Sequence, residues 1–214
     1  MSDEEDSDEM SDEKNRSGEQ LNDACDYGDF PSVRSLVSSG ASVDYQDKYG
    51  DTPAMCCCSR GHSDILQFLL EQGANADLAD KYGSTPLIYA AAYNKYECAA
   101  VLVRYGVVLD AITTTYGRTV LWYASFCGNL PMVQLLVQGG ADIERADNDG
   151  STPIAIARQR GHTAVVAYLG IELNWRRRRN YATVLNSLKG APTTSKTVRA
   201  LQCYDVARVI GSYL

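Results

Sequence analysis

The sequence predicts an all-α solenoid of stacked helix pairs, closed by a helical C-terminal extension. Three observations point there. The pattern Gly-x-Thr-Pro recurs as Gly50-Asp51-Thr52-Pro53, Gly83-Ser84-Thr85-Pro86, Gly117-Arg118-Thr119-Val120 and Gly150-Ser151-Thr152-Pro153, with steps of 33, 34 and 33 residues. Two further series keep phase with it: Gly40, Gly73, Gly106 and Gly140, then Gly28, Gly61, Asn94, Gly128 and Gly161. Between these punctuation points apolar residues fall at helical spacing, as in Ile65, Leu66, Phe68, Leu69 and Leu70. A module of this length cannot bury its apolar face alone and is stable only against copies of itself.

The elements follow in chain order. Residues 1–20 hold nine acidic and two basic side chains and almost nothing apolar, so a disordered acidic tail is expected over 1–18. They lack the basic start and apolar run of a signal peptide. A degenerate first repeat spans 19–50, full repeats span 51–83, 84–117 and 118–150, and a degenerate last one spans 151–170. In the first full repeat Thr52 serves as N-cap and Pro53 suits the first helical position, where a missing N–H does no harm. A short helix runs to Arg60, Gly61 ends it, a second helix follows, and Gly73 ends that one. Ala74 to Gly83 is polar and turn-prone, an extended finger. After Leu169 the pattern stops. A helix from Trp175 to Leu188 carries Tyr181, Val184, Leu185 and Leu188 on one face, with Gly190 and Pro192 closing it. Another is expected from about Tyr204, bearing Val206, Val209, Ile210, Tyr213 and Leu214. An open stack needs a cap, and these two helices can supply one.

Charge is partitioned along the chain. The net charge of −7 divides into −7 over residues 1–20, −6 over 21–170 and +6 over 171–214. No apolar run approaches the length of a membrane span, so an intracellular protein is expected, cytoplasmic, with Arg176 to Arg179 as a candidate nuclear-import signal. That single basic run without paired aromatics is a weak nucleic-acid signal.

No catalytic constellation, cofactor site or metal site is expected. Cys56, Cys57 and Cys58 are consecutive, but successive helical residues point about 100° apart and cannot converge on one ion. The repeat register instead makes Cys57 and Cys58 a buried small pair. The two histidines, His62 and His162, occupy one repeat position. Asp47, Asp80 and Asp147 are in register as turn formers. The glycines are periodic punctuation and build no phosphate-cradling loop.

The unit resembles the ankyrin repeat. The likeness rests on Gly-x-Thr-Pro, on the Gly-His pairs at Gly61-His62 and Gly161-His162, and on the small pairs Ala24-Cys25, Cys57-Cys58, Ala90-Ala91 and Ala124-Ser125. It covers about Glu19 to Leu169. There are departures: Met55, Ile88, Trp122 and Ala155 replace the motif histidine, Val120 replaces proline, Arg158 replaces a small residue, and one residue is inserted within Ala111 to Tyr116. The resemblance implies helix–turn–helix units with β-hairpin fingers, a concave face formed by fingers and first-helix ends, and no enzymatic activity. It further implies that a partner protein or peptide is held there by Tyr27 in the first repeat and by Lys48, Tyr49, Asp51 and Arg60 in the next. Lys81, Tyr82, Ser84 and Tyr93 follow, then Thr115, Tyr116, Arg118 and Phe126, then Asn148, Asp149 and Arg160. Tyrosine and arginine at such positions suit interface centres, and the basic residues suit an acidic or C-terminal peptide. The expected function is a monomeric protein–protein interaction adaptor. The alternative is a substrate-recruiting subunit of a ubiquitin ligase, docking through the C-terminal helices.

Overall fold

The computed structural model describes residues 5–188. It divides into two compact units, Met1–Leu169 and Gly170–Leu214. The expectations for Gly190, Pro192 and a helix from Tyr204 lie outside the described residues.

The first unit is built from helix pairs. They are α1 (Glu5–Tyr27) with α2 (Phe30–Ser38), α3 (Pro53–Arg60) with α4 (Ser63–Glu71), α5 (Pro86–Ala92) with α6 (Tyr96–Tyr105), and α7 (Val120–Cys127) with α8 (Leu130–Gly139). The last pair is α9 (Pro153–Gln159) with the start of α10 (Thr163–Leu188). First helices stack in one layer, α1 on α3, α3 on α5, α5 on α7 and α7 on α9, while α4, α6 and α8 stack in a second. The layers can approach because the small pairs do face inward: Cys57, Cys58, Ala90 and Ala124 are fully buried. Leu66, Leu69, Leu102, Leu121, Leu136 and Leu169 fill the space between layers. Arg158, at the same register position in the last repeat, is exposed beside buried Ala157, as an end unit allows.

The helix ends follow the expected chemistry, with one variation. The Thr52, Thr119 and Thr152 hydroxyls accept from the backbone N–H three residues on. At α3 the Met55 thioether, standing where the motif has histidine, accepts from the Thr52 N–H at 3.4 Å. At α5 the equivalent residue is Ile88, and the buried Thr85 hydroxyl has no partner. Asn94 (φ 59°) closes α5 from the left-handed region, where asparagine is the usual substitute for glycine. His62 and His162 each donate a ring Nε2–H to the last turn of the first helix of the repeat before, at Asp26 O of α1 (3.3 Å) and Phe126 O of α7 (3.0 Å). A carbonyl only accepts, so the proton sits on Nε2.

Two expectations differ from the structure. The fingers are not strand-bearing hairpins. Among the described residues the only β pairing is an isolated antiparallel bridge, Ile112 with Thr119. The physical reason is that an aspartate takes the N–H groups a ladder would use. Asp47 Oδ1 accepts from Tyr49 and Asp51, Asp80 Oδ1 from Tyr82 and Ser84, and Asp147 Oδ1 from Asp149 and Ser151. Second, α10 runs unbroken from Thr163 to Leu188, so no separate helix starts at Trp175. No proline or glycine pair interrupts it; Gly170 alone costs a helix about 1 kcal/mol and does not end one. Helix α1 itself starts at Glu5. Its packing begins at Gly18, which is buried against the Tyr45 ring, and Leu21 and Cys25 are fully buried. Residues before it propagate from that packed nucleus, because lengthening a helix costs far less than starting one.

Candidate partner-binding site

The fingers are joined edge to edge through their tyrosines. The Tyr49 carbonyl accepts from Lys81 N–H (3.0 Å), that of Tyr82 from Thr114 N–H (2.8 Å), and that of Tyr116 from Asn148 N–H (2.9 Å). Gly50 is required by this contact, since at φ 89° a Cβ would lie 3.0 Å from Asp80 Cα in the next finger. The backbone of each tyrosine is therefore fixed while its ring stays outside: Tyr49, Tyr82 and Tyr116 are 50%, 57% and 50% exposed. Tyr27 and Tyr93, on first-helix ends, are exposed as well.

The predicted residues fall into groups. Lys48 lies over the Tyr49 ring at 5.0 Å. Arg60 pairs with Asp26 through two hydrogen bonds, 2.7 and 2.9 Å, on the surface. Tyr93 stacks on Tyr89 with ring centroids 6.2 Å apart. Lys81, Thr115, Asn148, Asp149 and Arg160 are exposed, and Ser84 is half-buried. Asn148 also ties two fingers together by donating to Thr115 O at 3.2 Å. Asp51 turns away from solvent: its carboxylate accepts from the Tyr89 hydroxyl at 2.7 Å, and burial raises its pKa against that hydrogen bond. Its role inside the stack was legible only through Tyr89, which the sequence reading passed over.

Arg118 and Phe126 belong to a cluster that includes a residue noted in the sequence only as a motif departure. The Arg118 guanidinium lies between the Tyr116 ring (4.3 Å) and the Trp122 ring (4.1 Å). Trp122 stacks on Phe126 at 5.2 Å, and Arg160 covers Phe126 at 3.8 Å. Part of the signal was available: Trp122 and Phe126 are four apart on α7, the spacing that aligns side chains along one helix face, while Arg118 reaches them from the end of the finger.

The cysteines are part of the packing. Burial pushes the Cys56 thiol up to about 12. Cys57 is raised by its hydrogen bond to Cys25 and by burial, and Cys58 by burial and its bond to Cys98. Neighbouring thiols thus contact different helices, Cys57 toward α1 and Cys58 toward α6. Among the described residues no group of three or more His, Cys, Asp or Glu is placed to hold a metal. No described helix is long and apolar enough to cross a membrane.

Comparison with known proteins agrees with this architecture. Residues 21–113 and 106–176 match the family model described as ankyrin repeats in three copies. The chain is 33% identical over 141 residues to the nuclear factor NF-kappa-B p105 subunit of Gallus gallus, covering 64% of this chain and 14% of that protein. It is 33% identical over 172 residues to the ankyrin repeat and KH domain-containing protein mask-1 of Caenorhabditis elegans, covering 79% and 6%. It is 45% identical over 53 residues to the Notch-regulated ankyrin repeat-containing protein of Xenopus tropicalis, covering 25% and 46%. The chain therefore spans less than half the length of each of these relatives.

Proposed function

This chain belongs to the ankyrin-repeat family, and we propose that it is a non-enzymatic adaptor holding a partner protein or peptide along its row of fingers. Ankyrin repeats are a protein–protein interaction module. The observation that supports the finer reading is the tyrosine row: each ring is at least half exposed, on a backbone locked to the next finger. A large amphipathic ring on a rigid support loses little entropy on binding, which is why tyrosine concentrates at energetic centres of interfaces. Lys48 and Arg118 stacked on neighbouring rings add donors and positive charge at the same edge.

The test is affinity capture with the full chain and its Tyr49/Tyr82/Tyr116→Ala variant. The variant is expected to melt like the parent and to lose its partners, since single aromatic anchors are often worth about 2 kcal/mol. Retained capture by the folded variant refutes the assignment. Tyr96→Ala/Tyr105→Ala, on the exposed side of α6, is the matched control and is expected to change nothing. The ubiquitin-ligase alternative depends on residues 204–214, outside the described residues, and no observation favours it.

A further inference from the structure

We propose that the cleft between the third full repeat and the last one receives an acidic side chain, Asp or Glu, from an extended segment of the partner. This deepens the adaptor reading and rests on it. The cleft has a volume of about 450 Å³, with Arg118, Trp122, Phe126, Asp147, Asp149 and Arg160 among its lining residues.

Its donors are the first argument. Trp122 is 3% exposed, and its indole Nε1–H has no partner. The Arg118 Nε–H is likewise buried and unpartnered. The nearest carboxylate oxygen to it, Asp147 Oδ2, stands 3.8 Å away, too far for a hydrogen bond. The other oxygen of Asp147 is committed to its own finger, accepting from Asp149 and Ser151 N–H. Two desolvated, unpaired donors in the wall of one cleft are a cost that an acceptor reaching them would relieve. An indole N–H and a guanidinium N–H can never accept, so a ligand that only donates leaves both unsatisfied.

Charge is the second argument. Arg160 adds a second guanidinium over Phe126 and has no carboxylate partner among the described residues. The two acids of the cleft do not cancel this pair equally. Asp147 stands 3.8 Å from the Arg118 Nε and offsets part of its charge, while Asp149 is exposed and solvated and Arg160 is left to the ligand. A cationic ligand would meet two guanidinium groups at close range. An apolar ligand would leave the guanidinium groups of the cleft without an acceptor. A carboxylate complements the guanidinium groups and gains charge-assisted bonds.

Preorganisation is the third. Stacking of Arg118 between Tyr116 and Trp122, and of Trp122 on Phe126, holds the planes before any ligand arrives. Tyr116 is also the third rung of the tyrosine row, so a peptide lying along the fingers runs directly into this cleft. The fingers supply apolar anchoring, and the cleft selects for acid at one position.

The test uses pools of N-acetylated, C-amidated nonapeptides, randomised except for a central Glu, Gln or Lys, presented to the full chain. The Glu pool is expected to be retained about tenfold better than the Gln pool, as for loss of one charge-assisted bond. In Arg160→Gln that preference should largely vanish. Arg160 is exposed, so this variant keeps its fold even if Arg118→Gln does not. Arg118→Lys keeps the charge but lacks the Nε donor and should lose part of the preference. In a Trp175→Phe background, where Trp122 is the remaining tryptophan, the Glu pool should shift the indole emission and the Gln pool should not. Equal retention of Glu and Gln pools by the parent chain overturns the proposal, as does an unchanged Glu preference in Arg160→Gln. A preference for free-acid C-termini over the central Glu overturns the side-chain assignment. The Tyr49/Tyr82/Tyr116→Ala variant separates the two claims. If pools bind without acid preference and this variant loses them, the cleft assignment falls while the finger reading stands. If it keeps the Glu preference undiminished, the finger reading falls alone. Retention of no pool at all overturns both.

Discussion

The second finger and the third solve one problem with different residues. In the second, the Asp80 carboxylate is buried, and one oxygen accepts from Tyr82 and Ser84 N–H at 2.8 and 2.7 Å. Its other oxygen accepts from the Tyr89 hydroxyl at 3.0 Å, and that hydroxyl also reaches Asp51. In the third, Thr113 holds the same register position, its hydroxyl accepts from Arg118 N–H at 3.2 Å, and the turn is one residue longer. The Thr113 N–H consequently reaches Arg118 O, five residues on, whereas Asp80 N–H reaches Ser84 O, four on. A charged anchor commits the residues around it to the stack. Beside a neutral anchor the flanking arginine stacks on Tyr116 and Trp122 and stands 3.8 Å from Asp147. The region with the weaker internal network is the one with the richer surface chemistry, a common relation between stability and function.

The largest effect that could break this comparison is on stability. Asp80→Ala strands the Tyr82 and Ser84 backbone donors in a buried turn, while the Tyr89 hydroxyl keeps Asp51, and should cost about 3 kcal/mol; Thr113→Ala should cost about 1 kcal/mol. Urea unfolding of both variants gives the difference, and equal losses would mean that the two fingers are anchored alike. A smaller effect concerns the first-helix layer beneath the fingers. Cys57→Ala/Cys58→Ala removes two buried sulfurs at positions where the other repeats carry small residues, and should cost about 1 kcal/mol per site. The same double variant should contain as much zinc as the parent, namely none; stoichiometric zinc in the parent, lost in the variant, would reverse the packing account of the thiols.

The smallest effect is a pH dependence, and its sign follows from Asp51. Burial holds the carboxyl of the folded chain above its ordinary range, opposed by the Tyr89 hydrogen bond. A raised carboxyl favours the folded state most when protonated, so its contribution is present at acid pH and lost as pH rises through the raised value. Stability of the parent relative to Asp51→Asn should therefore improve as pH falls from neutral into the carboxylate range. Tyr89→Phe removes the opposing hydrogen bond and should enlarge the trend. Denaturant midpoints at neutral and acid pH measure it, and a parent that loses ground on acidification would contradict the burial argument.

Much of the fold was legible because the repeat states its own punctuation. Thr-Pro starts, left-handed glycines and the small pair each have a local cause, and repetition in phase removed the ambiguity of any single instance. The fingers were misjudged as hairpins because extended, turn-rich segments look alike until the acceptors of their N–H groups are known. The register of Asp47, Asp80 and Asp147 identified turn formers but not that their oxygens would replace a ladder. The continuous α10 was hidden because Gly170 and the end of the repeat pattern coincide. At the candidate site, exposure of the tyrosines followed from their position before a turn glycine. The Arg118, Trp122, Phe126 line needed a different reading: Trp122 was treated as a missing histidine and not as the centre of a cluster. Asp51 satisfied the positional rule for a contact residue yet turned inward, because Tyr89 of the next repeat offered it a hydroxyl.

The central claim, that partners lie on the tyrosine row, is tested most directly by site-specific photo-crosslinking. A benzophenone amino acid is placed singly at position 82 of the fingers, or at position 96 or 105 on α6, in otherwise unchanged full-length chain. All three positions carry exposed tyrosines, so exposure alone does not distinguish them. The account predicts partner adducts from position 82 and none from 96 or 105. Adducts from 96 or 105, with none from 82, would contradict it.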